Sequence, residues 1–131
     1  ENSENYETGD ILILKSSTIP DNRYQPDYVV AKSNASMQKS VFGVYGGSGN
    51  YLTNPVDAII YAVGDGVIKV NNEGGNIEIG DYICSSNTSG IGMKQNDDIL
   101  RNYTVAKSSQ SVDWSTESST TKIIACTYHC G

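Results

Sequence analysis

Apolar residues along this chain come in short runs, broken every few positions by Gly, Asp, Asn or Ser, and no stretch sustains a helical period. Residues 11–14 (Ile-Leu-Ile-Leu) form a continuous apolar run between Gly9-Asp10 and Lys15-Ser16-Ser17, the pattern of a buried strand. Residues 28–32 and 41–45 read as the next strands. A loop over 16–27 carries Pro20 and Pro26, and residues 33–39 fit a loop or one helical turn. Two further runs, 58–63 and 67–70, flank Gly64-Asp65-Gly66, which reads as a hairpin turn or kink. A second turn is expected at 71–75, and strands at 82–85, 103–107 and 122–128. Residues 92–102 fit either a loop or a single helical turn around Asp97–Arg101, and 108–121 is a Ser/Thr-rich excursion holding Trp114. The expected fold is all-β, a compact barrel or sandwich built from two duplicated β units with little helix.

The duplication is visible in the text of the chain. Glu7-Thr8-Gly9-Asp10 precedes an apolar run and Ser16-Ser17; Glu78-Ile79-Gly80-Asp81 precedes an apolar run and Ser85-Ser86, 71 positions later. Downstream, 28–33 answers 103–108 and 41–47 answers 123–129. The copies therefore span about 7–47 and 78–129, with a hairpin at 57–70 between them. A unit of this size cannot close its own core, so the two are expected to share one within a single domain, 1–131.

Composition narrows the function. Nine Tyr against one Phe and one Trp suit half-buried pleated surfaces and wet contacts. Only 18% of the residues are charged, which points to contact surface hidden in a homo-oligomer. A net charge of −6, with Lys and Arg scattered, excludes a binder of nucleic-acid backbones. No apolar run approaches the roughly 18 residues of a membrane span, and no cationic segment with an apolar run opens the chain as in a signal peptide. The polar opening Glu1-Asn2-Ser3-Glu4-Asn5 reads as a cut edge, including one left by processing from a longer protein. Three Cys cannot all pair, and reduced thiols are expected.

Candidate chemistry is sparse. Gly9-Asp10, Gly64-Asp65 and Gly80-Asp81 lack the alternating oxygens of a calcium loop and read as turn punctuation, with Gly supplying the special φ and Asp bonding its own turn. Cys126, His129 and Cys130 are the one cluster of metal-ligand type, with Cys84 as the other Cys; along a strand Cys126 and Cys130 stand roughly 13 Å apart, too far for one ion. Gly46–Gly49 lacks the Lys-Ser/Thr of a phosphate loop. Asn34, Asn87 and Asn102 open sequons that matter only in a secreted eukaryotic protein. Glu4 and Glu7 are the acidic candidates for self-processing, and Trp114 and Tyr51 the candidates for stacking on a sugar.

The series Gly64-Asp65-Gly66-Val67-Ile68-Lys69-Val70, Ile79-Gly80-Asp81-Tyr82-Ile83-Cys84-Ser85-Ser86, Gly90-Ile91-Gly92-Met93-Lys94, Tyr103-Thr104-Val105-Ala106-Lys107 and Ile123-Ile124-Ala125 resembles the β domain near the C-terminus of phage tail-fibre and neck-appendage proteins, including those of marine phages. That domain is similar to the intramolecular chaperone auto-processing family. The resemblance covers residues 57–131 and reaches 7–46 through the duplication. It implies a viral structural module that assists assembly, as a homotrimer favoured over other states, and is joined to the upstream part of a longer fibre protein. It also implies a place in the virion after assembly in the host cytoplasm. The acidic-aromatic segment that carries cleavage in the auto-processing relatives has no clear match at Glu4-Asn5-Tyr6-Glu7, so no catalytic residue is carried over. The expectation is a non-enzymatic protein without cofactor, nucleic acid or membrane. A self-cleaving chaperone and a glycan-binding fibre tip are the alternatives.

Overall fold

The computed structural model describes residues 5–20, 24–47, 49–51, 54–56 and 59–130. In them the chain is all-β. Its strands are β1 (Ile11–Thr18), β2 (Asp27–Lys32), β3 (Val41–Tyr45), β4 (Gly49–Tyr51), β5 (Asn54–Val56), β6 (Ile60–Tyr61), β7 (Val63–Asn71), β8 (Tyr82–Ser85), β9 (Gly92–Lys94), β10 (Thr104–Ser108) and β11 (Thr121–His129). The only helical pieces described are two single 3-10 turns, Asn72–Gly74 and Trp114–Thr116, each opened by a side chain (Asn71, Asp113) that accepts a backbone N–H of its turn. β2-β1-β3-β6 form an open sheet, β10-β11-β7-β9-β8 close into a barrel, and β4 pairs with β5 in a small hairpin.

Two duplicated units build this molecule, and their hydrogen bonds show it more sharply than their letters. In both copies the Asp side chain accepts the backbone N–H of the preceding Glu at 2.8 Å (Asp10 from Glu7, Asp81 from Glu78). Both glycines sit at φ 97°, which a Cβ would disfavour. Gly9 donates to Tyr45 and Tyr45 to Asp10, as Gly80 donates to Ser108 and Ser108 to Asp81. The β1–β2 register Leu12↔Lys32, Ile13↔Ala31 repeats in β8–β9 as Ile83↔Lys94, Cys84↔Met93. Even a skipped residue repeats: Phe42 is passed over between Gly43 and Val41 opposite β1, and Val105 between Ala106 and Thr104 opposite β8.

This network sets the correspondence of strands. The Gly-Asp turns and β1/β8 match at the offset read from sequence, but β2 answers β9 and β3 answers β10, whereas the residue pattern paired 28–33 with 103–108 and 41–47 with 123–129. β6 answers the end of β11, since Gly46 donates to Ile59 as Ser109 donates to Ala125. Short apolar strands look alike in sequence; only their partners tell them apart.

Two other expectations change. β1 does not stop at Leu14: a shift in register at Lys15 lets it continue to Thr18 against Asp27–Val29, so the two ends of the expected loop, 16–18 and Asp27, belong to a two-stranded ribbon. Gly64-Asp65-Gly66 is no hairpin turn, because β7 continues through it, paired residue for residue with β11 from Val63↔His129 to Asn71↔Thr121, with Gly64 at φ 100° as a local irregularity of the strand. The cause is Tyr128. Its ring lies over Gly66, where any Cβ would overlap it, and its hydroxyl donates to the Val67 carbonyl (2.7 Å) and accepts the Val67 N–H (2.9 Å). Residues 33–39 and 95–103 form turns without helix, although Asp97 and Arg101 pair at 2.8 Å across one turn.

One core serves both units, with Ile11 and Val44 from the first packed among Ile68, Val70, Ile77, Ile83, Val105, Val112 and Ile124. The second unit and its entry strand supply seven of these aliphatic side chains, each contributing about 1.5–3 kcal/mol on burial.

Candidate functional site

The strongest electrostatic feature sits where the first unit's turn meets β7. Lys69 projects from β7 between Glu7 and Asp10, hydrogen-bonded to the Glu7 carboxylate and 3.0 Å from Asp10 Oδ1. Lys32 adds a second ammonium 3.8 Å from Asp10 Oδ2. Asp10 is 2% exposed, so its charge is held inside the protein by the turn bond and these two cations. The Lys69 hydrogen bond holds the Glu7 carboxyl below the usual carboxylate range. Burial alone would lower the Lys69 pKa, but hydrogen bonds to Glu7 and Asp10 outweigh it and hold the ammonium above its ordinary value. A lysine held charged is no nucleophile, and a carboxylate bound to it is a poor general base. The cluster is a staple: Lys69 also donates its backbone N–H to Gly9. Of the two acidic candidates, Glu7 belongs to this staple and Glu4 lies outside the described residues.

The Cys/His candidates end up on or beside the barrel. Cys126 is buried in the core, Cys84 is buried on β8, and Cys130 packs at the core's edge with its thiol 3.7 Å from the Val105 carbonyl. All three are free thiols. Burial pushes Cys126 up to about 12 and both Cys84 and Cys130 up to about 11, so at neutral pH none is a thiolate. His129 lies 3.3 Å from Thr127 Oγ1 and edge-on to the Tyr82 ring. Among the described residues no three His, Cys, Asp or Glu side chains converge as metal ligands would.

Trp114 is half-buried against the core, and its indole N–H donates to the Gly75 carbonyl at 2.9 Å. Its ring is engaged in joining the excursion to the barrel. Tyr51 lies in the β4–β5 hairpin.

The surface sequence reading missed is the β1–β2 ribbon. From Lys15 to Thr18 and from Asp27 to Val29 its residues are exposed on both faces, as are Ile19 and Tyr24 to Pro26 in the connection that follows β1 and precedes β2. Tyr24 is 84% exposed, Ile19 62%, Tyr28 46% and Val29 42%, and the Tyr28 ring rests on Phe42 at 4.7 Å between centroids. The signal was present in the β-favouring Thr18-Ile19 and Tyr28-Val29, but Pro20 and Pro26 masked the segment as loop; in the fold Ser16, Ser17 and Thr18 stand opposite Val29, Tyr28 and Asp27. The ribbon extends beyond the part of the sheet that β3 pairs, so its two faces are left open to solvent.

No family model matches this chain, and neither a curated protein nor a solved structure does.

Proposed function

We propose that this chain is a structural module of a phage tail fibre or appendage, part of a longer polypeptide, that acts in assembly by associating with two further copies of itself and carries no catalytic chemistry. The observation that supports this best is the β1–β2 ribbon and its connection, where exposed Tyr28 and Val29 on β2 and Ile19 and Tyr24 beside the strands offer an apolar contact surface on a chain of net charge −6. Copies this acidic repel one another at long range, so association is favoured through a patch where charge is thin. The charged cluster is absorbed in holding the fold, and the buried thiols and half-buried Trp114 have structural duties, which supports a reading in which contact is the function. Virion location and assembly in the host cytoplasm follow from the same reading.

Light scattering on a sizing column tests it. A mass near three times 14.1 kDa is expected, falling to one copy in the double variant Tyr24→Ser, Val29→Thr, with an unchanged circular dichroism spectrum. A monomeric wild-type chain at high concentration overturns the proposal.

A further inference from the structure

The two units are built alike, yet one closes and the other stays open. In the second, β7 fills the space between β11 and β9, antiparallel to one (Gly66↔Cys126) and parallel to the other (Val70↔Gly92). The matched bonding makes Ile60 the counterpart of Cys126 and Val30 the counterpart of Gly92. The first unit's sheet, β2-β1-β3-β6, therefore ends in the two edges that a strand like β7 joins in its duplicate.

Those edges carry the polar groups such a strand would meet. Ile59 exchanges backbone bonds with Gly46 and Gly47 on the β3 side, so pleat alternation turns the Ile60 N–H and C=O to the opposite side. On β2, Ala31 is opposite Ile13 and the bond from Ser33 to Ile11 fixes the phase, so Val30 faces outward. Its carbonyl accepts the Tyr6 hydroxyl at 3.1 Å, a side chain standing where the duplicate has a backbone neighbour.

We propose that the β6 and β2 edges form a docking site for one added strand, antiparallel to β6 and parallel to β2, with apolar residues at alternate positions as in Ile68 and Val70 of β7. Its source is the segment of the parent polypeptide that leads into Glu1, which rests on the reading of the chain as part of a longer fibre protein. The repeat supplies the reason. Six residues, 72–77, connect β7 to the Glu78 turn, and the six residues 1–6 lead into the equivalent Glu7 turn. The same 71-residue offset that relates the turns puts the counterpart of β7 immediately ahead of Glu1, at a covalent distance already known to reach.

The probe is the chain's own solution to the problem. The nine residues of β7 (Val-Gly-Asp-Gly-Val-Ile-Lys-Val-Asn) are fused directly to Glu1, beside a control in which their order is scrambled to break the alternation. Amide hydrogen exchange and melting are then read on both proteins and on the unextended chain. Expected are at least tenfold slower exchange at Val30 and Ile60 in the fusion and a melting point raised by roughly 4 °C over the scrambled control. Equal behaviour of fusion and control overturns the proposal. So does finding Val30 and Ile60 in the unextended chain already as protected as Gly92 and Cys126. Protection by the free nonapeptide but not by the fusion overturns the assigned source. Light scattering of the unextended chain reads the assembly proposal by itself, so failure here is distinct from failure of the assembly reading.

Discussion

The two Gly-Asp turns make an internal control for the charge staple. Asp10 and Asp81 accept the same turn bond at 2.8 Å, but Asp10 alone faces ammonium groups, with Lys69 at 3.0 Å and Lys32 at 3.8 Å. Among the described residues no ion pair involves Asp81. Asp→Asn keeps an oxygen for the turn while removing the charge. In D81N that oxygen can simply replace the carboxylate, and the expected cost is below about 0.5 kcal/mol. In D10N one amide oxygen must choose between the Glu7 N–H and Lys69, and the amide NH₂ then faces a cation inside the protein. Lys69 retains the exposed Glu7, so the loss is smaller than for a fully buried pair, about 2–4 kcal/mol. At this chain length that is a melting-point drop of roughly 8–15 °C. Urea unfolding of wild type, D10N and D81N, with m-values compared, measures it. Equal destabilisation by the two variants within about 0.5 kcal/mol would refute the staple as a source of stability.

Y128F removes the hydroxyl that serves both Val67 backbone groups and should cost about 1–3 kcal/mol in urea unfolding, with G66A at least as severe because its methyl collides with the same ring. A Y128F variant as stable as wild type would show that β7 does not need this tyrosine to continue through Gly64–Gly66. On the alkaline side, the raised folded pKa values of Cys84, Cys126 and Cys130 mean stability that is complete below the ordinary thiol range, near pH 9, and is lost as pH rises through about 11 to 12. Melting points from pH 7 to 11 should fall correspondingly, and a thiol reagent at pH 8 should label Cys84 and Cys126 only on unfolding; prompt labelling of either would contradict their burial. On the acid side, the depressed carboxyls of Glu7, Glu73, Asp97 and Asp113 contribute stability that is complete above the ordinary carboxylate range and lost as pH falls below it, so melting points should drop below about pH 4.

Local chemistry was legible from the residues alone. A Glu-x-Gly-Asp turn is determined within four positions, by a glycine free to take φ 97° and an aspartate bonded to the N–H three residues back, so its two copies could be read directly. The all-β character followed from the same locality, since short apolar runs between turn residues leave helices no face to bury. What lay beyond the sequence were relations across the sheet. Whether Gly64-Asp65-Gly66 turns back or stays in the sheet depends on Tyr128, more than sixty positions away, whose ring and hydroxyl hold the strand from the neighbouring one. Which strand answers which is decided by register, and 28–33 resembles 103–108 in letters while its residues 30–33 hydrogen-bond like 92–95. The charge staple needed β7 to pass beside the first turn before Lys69 could meet Asp10. Turns are sums of near neighbours, so sequence alone can specify them. Pairing, closure and buried charge depend on segments that only the folded chain brings together, and there the tertiary structure decides.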